Sequence, residues 1–450
     1  MSVRRCDFFM MLMLGMVSPG HAAVAPADAA HLGTTLTPMG AERAGNADGS
    51  IPAWTGGMAA APQGTGSRPD SFAAERPLFS ITASNLPRYA VRLPEGAKAL
   101  FAKYKDFRID VYPTHRTASA PQPVYEATLR NAVSARAAPE GITSGIEGAA
   151  GGIPFPIPQD GAEAVWNHEL AFWGAARETR LATYVVFGAQ PPEMTDDRRE
   201  VVDFPYYYPN ATPGNVGGYY LEQLETTVGP AESAGEAYVT MQPLNVARNK
   251  FDAWQYLPGQ RRVRRAPSLS YDTPQPSASG LESFDDYYIF SGGLDHYRYT
   301  LVGKREMYVP YNNNRLLNLP ASGLLTPHFA NPADLRYELH RVWVVDATLA
   351  PGKQDIVPHR TLYLDEDTWF ALYADSWDRD GRLWKFSQAS MVSIADLPAV
   401  VLGPQFVYDL QYGAYVYDFA FDGTPDGYRV TPPHPAITFT PEGLAAVGTR

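Results

Sequence analysis

Cysteine is almost missing from this sequence: 450 residues hold one, Cys6, and a lone thiol excludes an intrachain disulfide. A chain of this length must then be held by an ordinary apolar core, for which 45% hydrophobic residues is ample. Long apolar runs are missing as well. Beyond residue 22 no stretch stays apolar for the ~18 residues that a membrane-spanning helix needs. Positive charge is scarce, with 37 Lys and Arg against 48 Asp and Glu and a net charge of -11. That balance argues against nucleic acid as a partner, because phosphate binding needs the opposite sign.

Motifs of reaction chemistry are equally sparse. No G-x-S-x-G elbow, S-x-x-K pair, Walker loop or G-x-G-x-x-G is present. His168-Glu169 opens like the zinc-protease H-E-x-x-H, but Phe172 stands where the second histidine belongs. The nine histidines are scattered, with no pair at metal-ligand spacing. Asn46, Asp48 and Gly49, and again Asp378 to Gly381, contain pieces of a calcium loop, and turns explain both. No catalytic residue, cofactor or metal is expected, although a discontinuous hydrolase triad is compatible with any chain of this size.

The first residues have the order of a signal peptide: Arg4 and Arg5, an apolar run from Phe8 to Val17, then Ser18, Pro19, Gly20, His21 and Ala22. Ten apolar residues are about half the ~20 that span a bilayer. Residues 1–22 are therefore expected to be removed on export, giving a periplasmic product with no transmembrane segment. Cys6 would leave with them, so the mature chain carries neither a thiol nor an acyl anchor, and the charge falls to -12.

Residues 23–90 are rich in Gly, Pro, Ala and Thr and read as an extended arm packed on the body formed by residues 91–450. Apolar spacing places helices at about 95–107 (Leu100, Tyr104, Phe107), 124–137 (Val124, Thr128, Ala132) and 160–176. The third combines an Asp160/Glu163 capping box with Trp166, Leu170 and Trp173 on one stripe. From about residue 180 the period becomes two. Tyr337, Leu339, Arg341, Trp343 and Val345 alternate with Glu338, His340, Val342, Val344 and Asp346. Pro258-Gly259, Asp365-Glu366-Asp367 and Arg379-Asp380-Gly381 read as hairpin turns. The fold class is α+β, dominated by one large curved antiparallel sheet over a few helices.

Three stretches carry a family resemblance. Leu36 to Gly57, reading LTPMGAERAGNADGSIPAWTGG, resembles the opening signature of the proteobacterial domain-of-unknown-function family 1329, and GGIPFPIPQDGAEAVWNH, from Gly151 to His168, its second. Trp254 to Arg265, WQYLPGQRRVRR, resembles the third and is similar to the W-x-Y-x-P hairpin of LolA-like lipoprotein carriers. The resemblance covers essentially the whole mature chain. It implies an unclosed LolA-like β-barrel wrapped over helices around an apolar cavity. It also implies association with RND-type inner-membrane transporters and outer-membrane β-barrel proteins.

Two local features point to binding. Arg261-Arg262-Val263-Arg264-Arg265 is a basic run in an acidic chain, and strand alternation puts Arg262 and Arg264 on one face, at an edge, a cavity mouth or a partner. Rings recur on alternating positions, as in Tyr297-Arg298-Tyr299 and Trp369 to Tyr373. The candidate ligand-binding residues are Trp166, His168, Trp254, Tyr256, Arg262, Arg264 and Trp343. The function expected is a non-enzymatic periplasmic carrier for a lipid or other hydrophobic molecule. A ligand-free adaptor between transporter and pore, and a hydrolase with an unrecognised site, are the alternatives.

Overall fold

The computed structural model describes residues 24–62, 68–266, 271–424 and 427–448, so the expected signal peptide lies outside the described residues. The strands begin with β1 (Phe79–Thr82) and β2 (Arg108–Val111), then a small ribbon of β3 (Arg136–Ala137) and β4 (Ile146–Glu147). A first meander follows as β5 (Ala176–Phe187), β6 (Glu193–Asp203), β7 (Tyr219–Gly229), β8 (Ala237–Pro243), β9 (Asp252–Leu257) and β10 (Arg262–Arg265). The second is β11 (Tyr297–Pro310), β12 (Tyr337–Leu349), β13 (His359–Asp365), β14 (Ala371–Trp377), β15 (Leu383–Ile394), β16 (Ala399–Asp409) and β17 (Ala414–Ala420), before the short β18 (Tyr428–Val430).

Inside each meander, neighbours in sequence are antiparallel neighbours in the sheet. The two halves become one sheet where β17 pairs with β5, Val416 lying opposite Val185. The antiparallel pair β1–β2 joins through a single parallel pair, Tyr337 with Val111. Among the described residues β10 pairs with β9 alone, so the sheet ends there and does not close into a barrel. β16 and β17 are buried at almost every position, because both faces of the central strands are covered.

Helices are few and short: α1 (Pro26–Ala29), α2 (Glu95–Lys103), α3 (Gln122–Ser134), α4 (Gly161–Glu169), α5 (Ala321–Leu324) and α6 (Pro441–Gly448). The expected span 95–107 ends at Lys103, where Tyr104 turns extended and stacks on His328 at 4.7 Å. The span 124–137 starts at Gln122, since Pro123 fits a first helical turn, and stops at Ser134. The largest correction is 160–176. Asp160 caps Glu163 as expected, but α4 ends at Glu169, whose carboxylate takes hydrogen bonds from Tyr220 and Gly292, while Tyr207 donates to the Leu170 carbonyl. Trp173 is buried beyond the helix against Phe370, Tyr288 and Phe204.

Residues 24–36 pack on α3, and residues 39–46 lie along the second meander. The turn Asp365-Glu366-Asp367 receives them: Asp367 accepts from Arg116 Nε at 2.9 Å, Arg116 also donates to the Glu42 carbonyl at 2.8 Å, and the Glu366 carboxylate accepts from the Glu42 amide at 3.1 Å. Trp369 Nε1 donates to the Met39 carbonyl at 2.8 Å.

α4 packs on β11 and β12 at the closest approach that backbone allows. A Cβ built on Gly161 would lie 2.7 Å from the Tyr299 carbonyl carbon and 2.8 Å from the Thr300 nitrogen, both backbone atoms of β11. Gly161→Ala should therefore lift the helix off the strand and lower unfolding stability by roughly 1–3 kcal/mol in urea titration; an unchanged midpoint would refute this close packing.

Candidate functional site

Residues 271–293 form a cover over the inner face of the sheet. Backbone pairing of Gln275 with Glu282 and a Ser283/Asp286 capping box shape its first half. Its second half is anchored from below: Arg360 Nη1 on β13 donates to Asp286 at 2.9 Å and its Nη2 donates to Asp285, Lys385 Nζ on β15 donates to Asp286 at 2.8 Å, and Gln405 on β16 donates to the Asp286 carbonyl at 2.8 Å. Against burial, which pushes the other way, Lys385 and Arg360 hold the Asp286 carboxyl well below its ordinary range. The backbone is strained where the cover meets the sheet. Tyr288 and Ile289 have φ of 52° and 75°, and Phe419, stacked on Tyr288 at 4.9 Å, has 55°. A β-branched residue in this region costs on the order of 1–3 kcal/mol, compensated here by the Ile289 amide bonding Gln405 at 2.9 Å.

The buried charge continues across the first meander. Arg198 on β6 donates to Glu200 at 2.8 Å, Asp196 at 3.0 Å, Asp418 at 3.1 Å and the Thr183 hydroxyl at 2.8 Å. Glu225 on β7 lies in register with Glu200 and accepts from Gln223 at 2.6 Å. Burial, and then the charge of Glu200, push the Glu225 carboxyl up to about 8.

Between this face and the cover lies a cavity of about 790 Å³, a volume suited to a small molecule. Leu221, Gln223, Glu225 and Thr227 of β7 and Tyr238, Thr240 and Gln242 of β8 form its floor, while Tyr271, Phe284, Tyr287 and Tyr288 form its roof. The wall mixes rings with carboxamides, hydroxyls and carboxylates, so it is less apolar than the family resemblance implies. The opposite face of the same strands is dry: Leu224, Val239 and Tyr256 are buried against Phe439 and Leu444, the latter on α6.

None of the seven residues singled out in the sequence lines this cavity. Trp254 and Tyr256 belong to the α6 side, in the small second core. Trp166 is buried and donates to the Ile142 carbonyl at 2.7 Å. His168 is buried with both ring nitrogens engaged by backbone, Nε2 donating to Phe290 O at 2.8 Å and Nδ1 accepting from Ala371 N at 3.0 Å. Trp343 lies near the arm, stacked on Trp369 at 6.1 Å with Lys304 above its ring at 4.7 Å. Arg262 and Arg264 are exposed on the edge strand β10. Arg264 is linked to the cavity wall through Gln255, which donates to the hydroxyl of the cavity residue Tyr238 at 2.9 Å. The floor of the cavity left a legible sign in Gln223 and Glu225, polar residues on the strand face opposite Leu224.

A second cluster, His340, Asp365 and Asp367, is buried with ligand atoms within 4.8 Å of one another. Arg116 takes Asp367 and Glu338 takes the His340 Nε2, so its present partners make it a seam under the arm.

Burial lowers the His168 pKa to about 4, against the hydrogen bond to the Phe290 carbonyl. The unfolded chain then binds a proton that the folded one refuses between pH 6.5 and 4, so stability is lost as pH falls through this window, by up to about 3 kcal/mol at its foot. His168→Gln should flatten that loss, measured as the difference in urea midpoint between pH 7 and pH 4.5. An unaltered slope would count against a neutral His168.

The family model for "protein of unknown function (DUF1329)" matches residues 80–445. An uncharacterized protein, PA3922, of Pseudomonas aeruginosa is 39% identical over 452 residues, covering 95% of each chain. Among solved structures, a presumed outer-membrane lipoprotein-sorting protein domain from Vibrio parahaemolyticus is similar at 16% identity, over 63% of this chain and 98% of that one, with a TM-score of 0.44. A DUF1329 family protein from Desulfovibrio piger is similar at 16% identity, over 62% and 95%, with a TM-score of 0.43. With one model spanning most of its length and one relative matched nearly end to end, this chain belongs to the DUF1329 family.

Proposed function

We propose that this protein is a non-enzymatic periplasmic carrier that holds a lipid or other largely hydrophobic molecule in the cavity between the cover and strands β6–β8. The cavity itself carries the reading: about 790 Å³ of space walled by Tyr238, Tyr271, Phe284, Tyr287 and Leu221. Rings in the roof remove the apolar body of a ligand from water at ~25 cal/mol per Å², and the polar floor orients its head. The wall is built for holding: Asp196 is tied to Arg198, Glu225 to Gln223, and Tyr238 to Glu236 and Gln255.

The RND-type transporter and outer-membrane β-barrel implied by the resemblance would then be donor and acceptor. The exposed Arg262 and Arg264, on the free edge strand, offer such partners a charged margin next to the cavity.

Protein purified without detergent should release a lipid-like molecule on organic extraction and mass spectrometry. Thr240→Trp, which fills the floor, should lower the amount recovered at least about tenfold while leaving the urea midpoint close to that of the parent. Equal recovery from both proteins, or none from either, would remove the cavity from the mechanism.

A further inference from the structure

We infer that the ligand of this cavity carries a cationic amine on an apolar body, the amine seated over Glu225 and Glu236 beneath the tyrosines of the cover. The inference rests on the carrier reading and names the class of molecule carried.

The wall contains five carboxylates, Glu193, Asp196, Glu225, Glu232 and Glu236, against one cation, Lys250. Asp196 is consumed by Arg198 at 3.0 Å. The other inner carboxylates meet neutral donors. Glu225 accepts from the Gln223 carboxamide, and Glu236 accepts from the Tyr238 hydroxyl at 2.7 Å and from Gln255 at 3.3 Å. Glu193 and Glu232 are exposed at the mouth, where their charge draws cations in and repels anions. Strand register puts Glu225 opposite Tyr238, whose hydroxyl donates to Glu236. A fatty acid or anionic headgroup entering here would meet the carboxylates of Glu193 and Glu232 at the mouth and of Glu236 further in. An ammonium group would meet carboxylates below and, on the cover side, the rings of Tyr287 and Tyr288, which favour cations over their faces.

The charged and titratable groups around Glu225 agree with this. Glu200, Asp196 and Arg198 face it from β6, Asp418 from β17, Tyr238 from β8 and Tyr287 from the cover, and the single arginine is outnumbered by the carboxylates bonded to it. Glu225, pushed up to about 8, holds a proton at neutral pH that an ammonium ion beside it would displace.

The test is isothermal titration calorimetry of the full mature chain with decylamine, decyltrimethylammonium, 1-decanol and decanoate, each below its micellar concentration. Decylamine should bind at least about tenfold tighter than decanol, with decanoate weakest. At pH 7 its binding should release close to one proton, read from the dependence of the heat on buffer ionisation enthalpy. Glu225→Gln should abolish the proton release and most of the preference for the amine over decanol. Should that variant fold poorly, Glu232→Gln at the exposed mouth should still reduce the preference two- to threefold. Decanol or decanoate binding as tightly as decylamine overturns the inference and leaves the carrier reading standing. Silence from all four probes overturns both. An amine preference that survives both variants overturns the assignment to these carboxylates.

Discussion

Arg360, Lys385 and Arg198 stand on the inner face of the sheet with almost no access to water, and a buried cation without a partner is not compatible with a stable fold. Much of the remaining architecture follows from this requirement. The cover is held where it is because Asp285 and Asp286 must reach Arg360 and Lys385. Arg198 draws Asp196 and Glu200 of its own strand β6 and Asp418 of β17 toward one guanidinium, and that convergence leaves Glu225 beside an excess of negative charge. Removing one member of such a set exposes the others to the full cost of burial, so the set behaves as a unit.

The two faces of β7 to β9 have been given different work. On one, Leu224, Val239 and Tyr256 close against α6 and its approach in an ordinary dry contact. On the other, Gln223, Glu225, Thr227, Thr240 and Gln242 are polar and the cover stays far enough away to leave a cavity. A strand period of two lets a single stretch of sequence supply both, since neighbouring side chains never compete for the same environment.

Much of the fold was legible because strand alternation and turn chemistry are local. Tyr337 to Asp346 became β12, and Pro258-Gly259, Asp365 to Asp367 and Arg379 to Gly381 became turns between strands. Helix ends were less legible, since Glu169 and Leu170 end α4 through bonds to Tyr220, Gly292 and Tyr207, far away in sequence. The C-terminal helix has a legible start in Thr440-Pro441-Glu442, with Thr440 accepting from Gly443 at 3.1 Å. The site was the least legible part. Large rings such as Trp254 and Trp166 suit a ligand contact by composition, yet both pack in cores, which need rings of that size. The cavity is bounded instead by Gln223, Glu225, Thr240 and a cover whose position depends on Arg360, and no local pattern encodes that pairing.

The seam between β17 and β5 gives the molecule a particular order of assembly. β5 opens the first meander, yet the edge to which β17 belongs stays bare until nearly the whole chain has been delivered. Until then a twelve-residue strand presents unpaired amides and carbonyls to whatever lies nearby. Contacts this distant in sequence close slowly, so the first meander waits as a half-finished template while the second is made. Synthesis, and not only stability, thus bears on this fold: any agent that shields the bare edge of β5 during that interval protects the yield of the native chain.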